Sequence, residues 1–228
     1  MSSKETNLKE KFRIALNSTA KVISDDFDLN KKNSDDKKTK DILPIEIDSL
    51  TNPSDFIRLR AETDSSALKK KFSNDFIYKK NLPSNTSSRS LYKIAEKIRY
   101  EALGGKMLKG IEINFLENYS QIINRKRKDQ LKTKEDVPVA EAFELYMLKN
   151  FHKIKLNPLT SRMLNFWEKD FEDSIEKHKD FLLKNLEDQN TYSLKFSQIF
   201  EEMDIFQSDE DNEKEEENND QGQDNLFQ

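Results

Sequence analysis

The chain has 228 residues, 36 % of them charged and 34 % hydrophobic, with a net charge of −4. It contains no cysteine, which excludes disulfides, thiolate-held zinc, iron–sulfur clusters and cysteine nucleophiles together. No apolar run reaches the roughly eighteen residues of a membrane-spanning helix, and MSSKETNLKEKF lacks the apolar core of a secretory signal, so a cytoplasmic location is the default expectation.

Taken in chain order, the apolar spacing predicts mainly α structure. Phe12, Ala15, Leu16 and Ile23, with Thr19 on the same face, predict a first helix over 6–23. Asp25 to Lys40 is polar. Ile42-Leu43-Pro44-Ile45-Glu46-Ile47 is β-branched and interrupted by proline, which predicts a short edge strand or extended segment. Asn52-Pro53-Ser54-Asp55 supplies helix-start chemistry, with Ser54 or Asp55 as cap, for a helix over about 55–80. Leu82-Pro83-Ser84-Asn85 breaks the chain, and Ser87 or Ser88 is the expected cap of a helix striped by Leu91, Ile94, Ala95, Ile98 and Leu103.

Three of the four glycines, Gly104, Gly105 and Gly110, fall between that stripe and the next one, which runs through Ile111, Phe115, Tyr119, Ile122 and Ile123. Glycine takes positive φ without steric cost, so their clustering predicts a tight corner near 105. Val139, Phe143, Tyr146, Met147 and Phe151 predict a further helix. After the Asn157-Pro158 break, Met163, Phe166, Trp167, Phe171, Ile175, Phe181 and Leu182 form the longest periodic segment, and Leu194, Phe196, Ile199 and Phe200 mark a last helix from Tyr192 to Met203. Fifteen phenylalanines among so few glycines predict a multi-helix bundle with an aromatic-rich core.

Charge divides the chain. Gln207 to Gln228 holds nine acids and one lysine, a net −8, so the remainder carries +4. Such a tail cannot bury enough apolar surface to offset its ordering entropy and is expected to be disordered. The expected organisation is an N-terminal helix and loop (1–50), a helical domain (51–206) and an acidic tail or linker (207–228).

Familiar catalytic patterns are missing. There is no phosphate-cradling Gly-x-x-x-x-Gly-Lys-Ser/Thr loop and no Gly-x-Gly-x-x-Gly. His152 and His178 lack metal-ligand spacing and are expected at the surface or its boundary. Arg125-Lys126-Arg127-Lys128 complements a helix C-terminus, and the alternative of a nucleic-acid contact lacks interleaved aromatics. Arg99 suits bidentate pairing with a carboxylate or exposed carbonyls. Glu101 sits near a helix C-terminus, where the helix dipole disfavours it, so a specific partner is expected.

At these residues the chain resembles the CobT-type subunit of aerobic cobaltochelatase. The family pattern, close to E-x-x-R-x-E-A-x-G-x-x-x-x-x-G-x-x-x-N, is carried here by Glu96, Arg99, Glu101, Ala102, Gly104, Gly110 and Asn114. Upstream, Arg60, Asp64, Ala67 and Leu68 match R-G-x-x-D-x-x-A-L, with Ala61 in place of its glycine. A third match covers Leu156-Asn157-Pro158 and the Trp167 helix through Leu186-Glu187-Asp188-Gln189. The likeness spans about 56–205. The family tends to place histidines shortly after the upstream motif; this chain has Phe72 and Tyr78 in that neighbourhood and no histidine, so any metal or tetrapyrrole role for those histidines does not carry over. Family members continue through an acidic linker into a von Willebrand A-type domain with a D-x-S-x-S site. That pattern does not occur here, and the chain resembles the N-terminal region alone.

The resemblance implies an accessory, non-catalytic subunit of a machine that inserts cobalt into a corrin ring during cobalamin synthesis. Its implied partners are an AAA+ ATPase subunit and a large corrin-binding subunit. The complex would consume ATP with magnesium and cobalt, while this chain would bind no cofactor of its own, no nucleic acid and no membrane. Arg60, Asp64, Glu96, Arg99, Glu101, Gly104, Gly110 and Asn114 are then the candidates for structural or partner-contact roles. The alternative is a free helical adaptor or regulator of an AAA+ ATPase outside cobalamin synthesis.

Overall fold

A computed structural model of the protein describes residues 3–26, 47, 50, 52–125 and 133–203. The acidic tail, Lys126 to Lys128, and the 42–47 segment apart from Ile47 lie outside the described residues. Among those described, every regular element is a helix. They are α1 (Ser3–Ser24), α2 (Pro53–Phe72), α3 (Asp75–Lys80), α4 (Thr86–Met107), α5 (Lys109–Arg125), α6 (Val139–Phe151), α7 (Pro158–Asn165), α8 (Glu168–Ile175), α9 (Lys179–Lys184) and α10 (Gln189–Glu202), with a 3-10 turn at Glu176–His178.

The fold is built around α4, which packs against α2, α5, α6 and α10. Its buried residues, from Ser88 through Tyr92, Ile98 and Leu103 to Gly104, surround the helix rather than forming one stripe. A helix enclosed in this way must satisfy its polar side chains inside the protein. The aromatic core lies beside it. Phe143 of α6 meets Phe171, Phe196 and Phe200 at ring separations of 5.5, 6.4 and 5.4 Å. These rings prefer the edge-to-face arrangement seen here because of their quadrupoles. A smaller core, Leu16, Leu50 and Leu59 with Phe12 and Phe56, joins α1 to α2.

Several predicted boundaries move. The inward face of α1 is Leu16, Asn17, Ala20 and Ile23, leaving Ala15 and Thr19 exposed. The helix expected over 55–80 is two helices. Ser73 is extended (φ −114°, ψ 129°), and the Asn74 side chain then caps α3 by accepting from the Phe76 and Ile77 amides at 2.9 and 3.3 Å. Asn52 rather than Ser54 or Asp55 precedes α2, its amide donating to Asp55 at 3.4 Å. Asn85 rather than Ser87 or Ser88 caps α4, accepting from the amides of both serines. The long periodic segment breaks at Trp167, whose indole donates to the Val137 carbonyl at 3.0 Å, and again at the 3-10 turn. Asp188 starts α10 three residues earlier than expected, accepting from the Thr191 amide at 3.0 Å. Ile122, Phe181 and Leu194 point outward.

The corner after α4 exists, but glycine does not make it. One extended residue, Leu108 (φ −139°, ψ 119°), separates α4 from α5, which folds back against α4 and α2. Gly104 and Gly105 are helical residues of α4, Gly110 belongs to α5, and none has positive φ. Gly104 serves close approach instead: a Cβ there would lie 2.3 Å from Leu68 Cδ1, inside the α2–α4 contact.

Candidate functional site

A fully buried arginine is costly unless every donor finds an acceptor. Arg99 lies on α4 with no exposed surface. Glu96, one turn earlier, meets it in a bidentate pair, with Nε to Oε2 at 2.9 Å and Nη2 to Oε1 at 2.8 Å. The remaining capacity reaches across the fold. Nη1 donates to the Leu186 carbonyl at 2.8 Å, and Nη2 donates to the Phe72 carbonyl at 2.5 Å. Phe72 ends α2 and Leu186 lies in the bend after α9, so neither carbonyl has an intrahelical partner ahead of it.

Glu96 is equally occupied. Its Oε1 accepts from Ser73 Oγ at 2.8 Å and Gln189 Nε2 at 2.9 Å. Gln189 Oε1 in turn accepts from the Asn74 amide at 2.6 Å. The result is a clamp that fastens the end of α2, the α2–α3 break and the start of α10 to the middle of α4. The segment Leu186 to Gln189 and the α4 motif are far apart in sequence and meet here. An open groove lies over the clamp between Ser73-Asn74 and Asp188-Gln189-Asn190.

Further polar contacts tie α4 and α5 to α2. Glu101 is 1 % exposed; Ser65 Oγ donates to its Oε1 at 2.6 Å and the Tyr119 hydroxyl to its Oε2 at 2.5 Å. Burial pushes the Glu101 carboxyl up from its ordinary range, against the opposing charge of Lys97 and the two hydroxyl donors. The same burial, with Glu101 beside it, pushes Tyr119 well up. Lys97 lies over the Tyr119 ring at 5.3 Å and near Glu144 at 3.7 Å. Asn114 of α5 donates to Asp64 of α2 at 2.6 Å. Burial raises Asp64, opposed by Asn114 and the charge of Arg60.

The structure thus joins Glu96 to Arg99, and Asp64 to Asn114 with the exposed Arg60 nearby. It gives Glu101 its own partners, places Gly104 against Leu68, and leaves Gly110 in the open with nothing within 4 Å of a Cβ. Sequence reasoning did not single out Ser65, Ser73 and Asn74, and it named Gln189 and His152 without a part in these contacts. His152 lies at the boundary, as expected, with the residue as a whole only partly exposed. That ring is buried, 8 % exposed, between Phe115 and Tyr119, because α6 ends against the corner formed by α4 and α5. Burial, followed by the charge of Lys97, lowers its pKa to about 4. The Arg99 partners carry little sequence signal, since two of them are backbone carbonyls.

The motif side chains are thus spent on helix-to-helix bonds inside an all-helical fold among the described residues. The sequence matches the family model of the cobalamin biosynthesis protein CobT over residues 6–226, and the chain belongs to that family. The match extends beyond the 56–205 likeness into α1 and the acidic segment. No curated protein and no solved structure gives a significant match.

Proposed function

We propose that this chain is an accessory, non-catalytic subunit of an ATP-dependent cobaltochelatase, the complex that inserts cobalt into the corrin ring in cobalamin biosynthesis. Its proposed partners are the AAA+ ATPase subunit and the large corrin-binding subunit. ATP, magnesium and cobalt act on those partners, and the setting is the cytoplasm. Membership of the CobT family supports the pathway. The observation that carries the accessory role is the commitment of Glu96, Arg99, Glu101, Asp64 and Asn114 to internal hydrogen bonds. Groups held this way set the arrangement of the helices that carry the outer surface. Among the described residues no helix is long and apolar enough to cross a membrane.

Co-purification with the AAA+ ATPase subunit of the same organism tests the proposal. The chain should comigrate with the ATPase at micromolar concentration, and the pair should capture the large subunit. A chain that stays separate under conditions where another CobT family member associates with its own ATPase would contradict it. Association with the ATPase but not with the large subunit would favour an adaptor outside cobalamin synthesis.

A further inference from the structure

The tip where α4 turns into α5 is apolar at its centre and open to water. Lys106 to Gly110 is a continuous exposed run. Met107 and Leu108 within it, and Ile113 on the next turn of α5, are 38, 47 and 43 % exposed. Single exposed aliphatic residues are ordinary, but three gathered at one chain reversal form a patch.

Gly110 lies in that patch without an internal reason for being glycine. Its φ is not positive, and nothing comes within 4 Å of a Cβ there. Glycine weakens a helix relative to alanine, because the unfolded chain has more freedom to lose. At Gly104 the missing side chain makes room for Leu68, whereas Gly110 has no such neighbour in this chain. What it leaves is bare backbone beside Ile113, a place where another chain can approach closely.

The rim is cationic. Lys106, Lys109 and Lys153 are exposed, against one acid, Glu112, whose Oε2 accepts from Lys109 Nζ at 2.7 Å. That bond, and behind it the charges of Lys109 and Lys153, hold the Glu112 carboxyl below its ordinary range, which brings Lys153 to this corner from the end of α6. Lys106 and Lys153 make no ion pair among the described residues.

An apolar centre with a positive rim complements an acidic partner that also presents apolar side chains. A second copy of this chain would set the same lysines against one another across a two-fold contact. A lipid surface would meet aliphatic side chains alone, without the aromatic anchors of the headgroup boundary. A helix supplies an apolar ridge flanked by carboxylates at three- and four-residue spacing. We propose, resting on the accessory role above in which the ATPase binds this chain directly, that the α4–α5 tip docks an acidic helical segment of the AAA+ ATPase subunit. The segment crosses at Gly110, covers Met107, Leu108 and Ile113, and sets its carboxylates against Lys106 and Lys153.

Titration of the full chain with the ATPase subunit of the same organism tests the site. Gly110→Leu puts a side chain onto the bare backbone with no internal clash, so its urea midpoint should be no lower than that of the wild-type chain. Its affinity for the ATPase should nevertheless fall about tenfold or more. Lys106→Glu combined with Lys153→Glu should also weaken binding and flatten its dependence on salt, which screens exposed charges. Wild-type affinity in either variant, while the wild-type chain binds, would overturn the site and leave the accessory role standing. A wild-type chain that does not bind the ATPase would remove both. Sedimentation of the wild-type chain with phosphatidylserine vesicles, abolished by Leu108→Glu, would assign the tip to a lipid surface and overturn the proposal.

Discussion

Gly104 and Gly110 occupy comparable places in the sequence motif and different physical environments. A side chain at 104 meets Leu68, which is fully buried and cannot move without disturbing the α2–α4 contact. Gly104→Val should therefore destabilise the protein by about 1–3 kcal/mol through overpacking. Gly110 sits in the first turn of α5 with ordinary helical φ and open space around it. Gly110→Ala should stabilise by about 0.4–1 kcal/mol, because it narrows the unfolded ensemble at no cost to the fold. Urea denaturation midpoints should move in opposite directions. Equal shifts would show that the glycines share one backbone role. Four glycines in 228 residues draw attention to this region, but composition does not separate close approach from positive φ.

At the scale of elements, the break between α2 and α3 matters most. The apolar spacing carries on past it through Phe72 and Tyr78, so periodicity reads one continuous helix. What stops the helix is Ser73 in an extended conformation and Asn74 satisfying two orphan amides of the next turn. The break has a use, since it turns the Phe72 carbonyl and the Ser73 hydroxyl towards Arg99 and Glu96. Asn74→Ala should cost about 1 kcal/mol by loss of the cap, measured as a fall in the urea midpoint. An unchanged midpoint would mean that the break is held by tertiary contacts alone. Leu108 shows the same limit of sequence reading: a single extended leucine turns the chain, and leucine is not a turn signal. The helical class and the aromatic core of α6, α8 and α10 were legible because strong 3.6-residue spacing records burial directly. Ile122, Phe181 and Leu194 fit the same spacing yet face solvent, since spacing marks a stripe and not its edges.

The whole molecule is organised by what converges on α4. Glu96 and Arg99 stood out in the sequence, but their partners come from residues 72–74 and 186–189, and two are backbone carbonyls. Main-chain acceptors leave no residue-type signature, so the clamp becomes visible only in three dimensions. The same is true of His152, a lone histidine whose burial follows from where α6 ends. A buried ion pair adds little net stability over apolar residues, yet removing one member costs about 3–5 kcal/mol because it strands the other charge. Its value here is positional: it sets α2, α3 and α10 on α4 in one arrangement and so fixes the outer surface that a partner would meet.

Native-state hydrogen exchange on Arg99→Met measures that directly. The last turn of α2 and the first turns of α10 should lose protection together, by roughly a hundredfold or more, as Glu96 is left unpaired. Protection in both segments equal to that of the wild-type chain would contradict the clamp and the accessory role proposed on it.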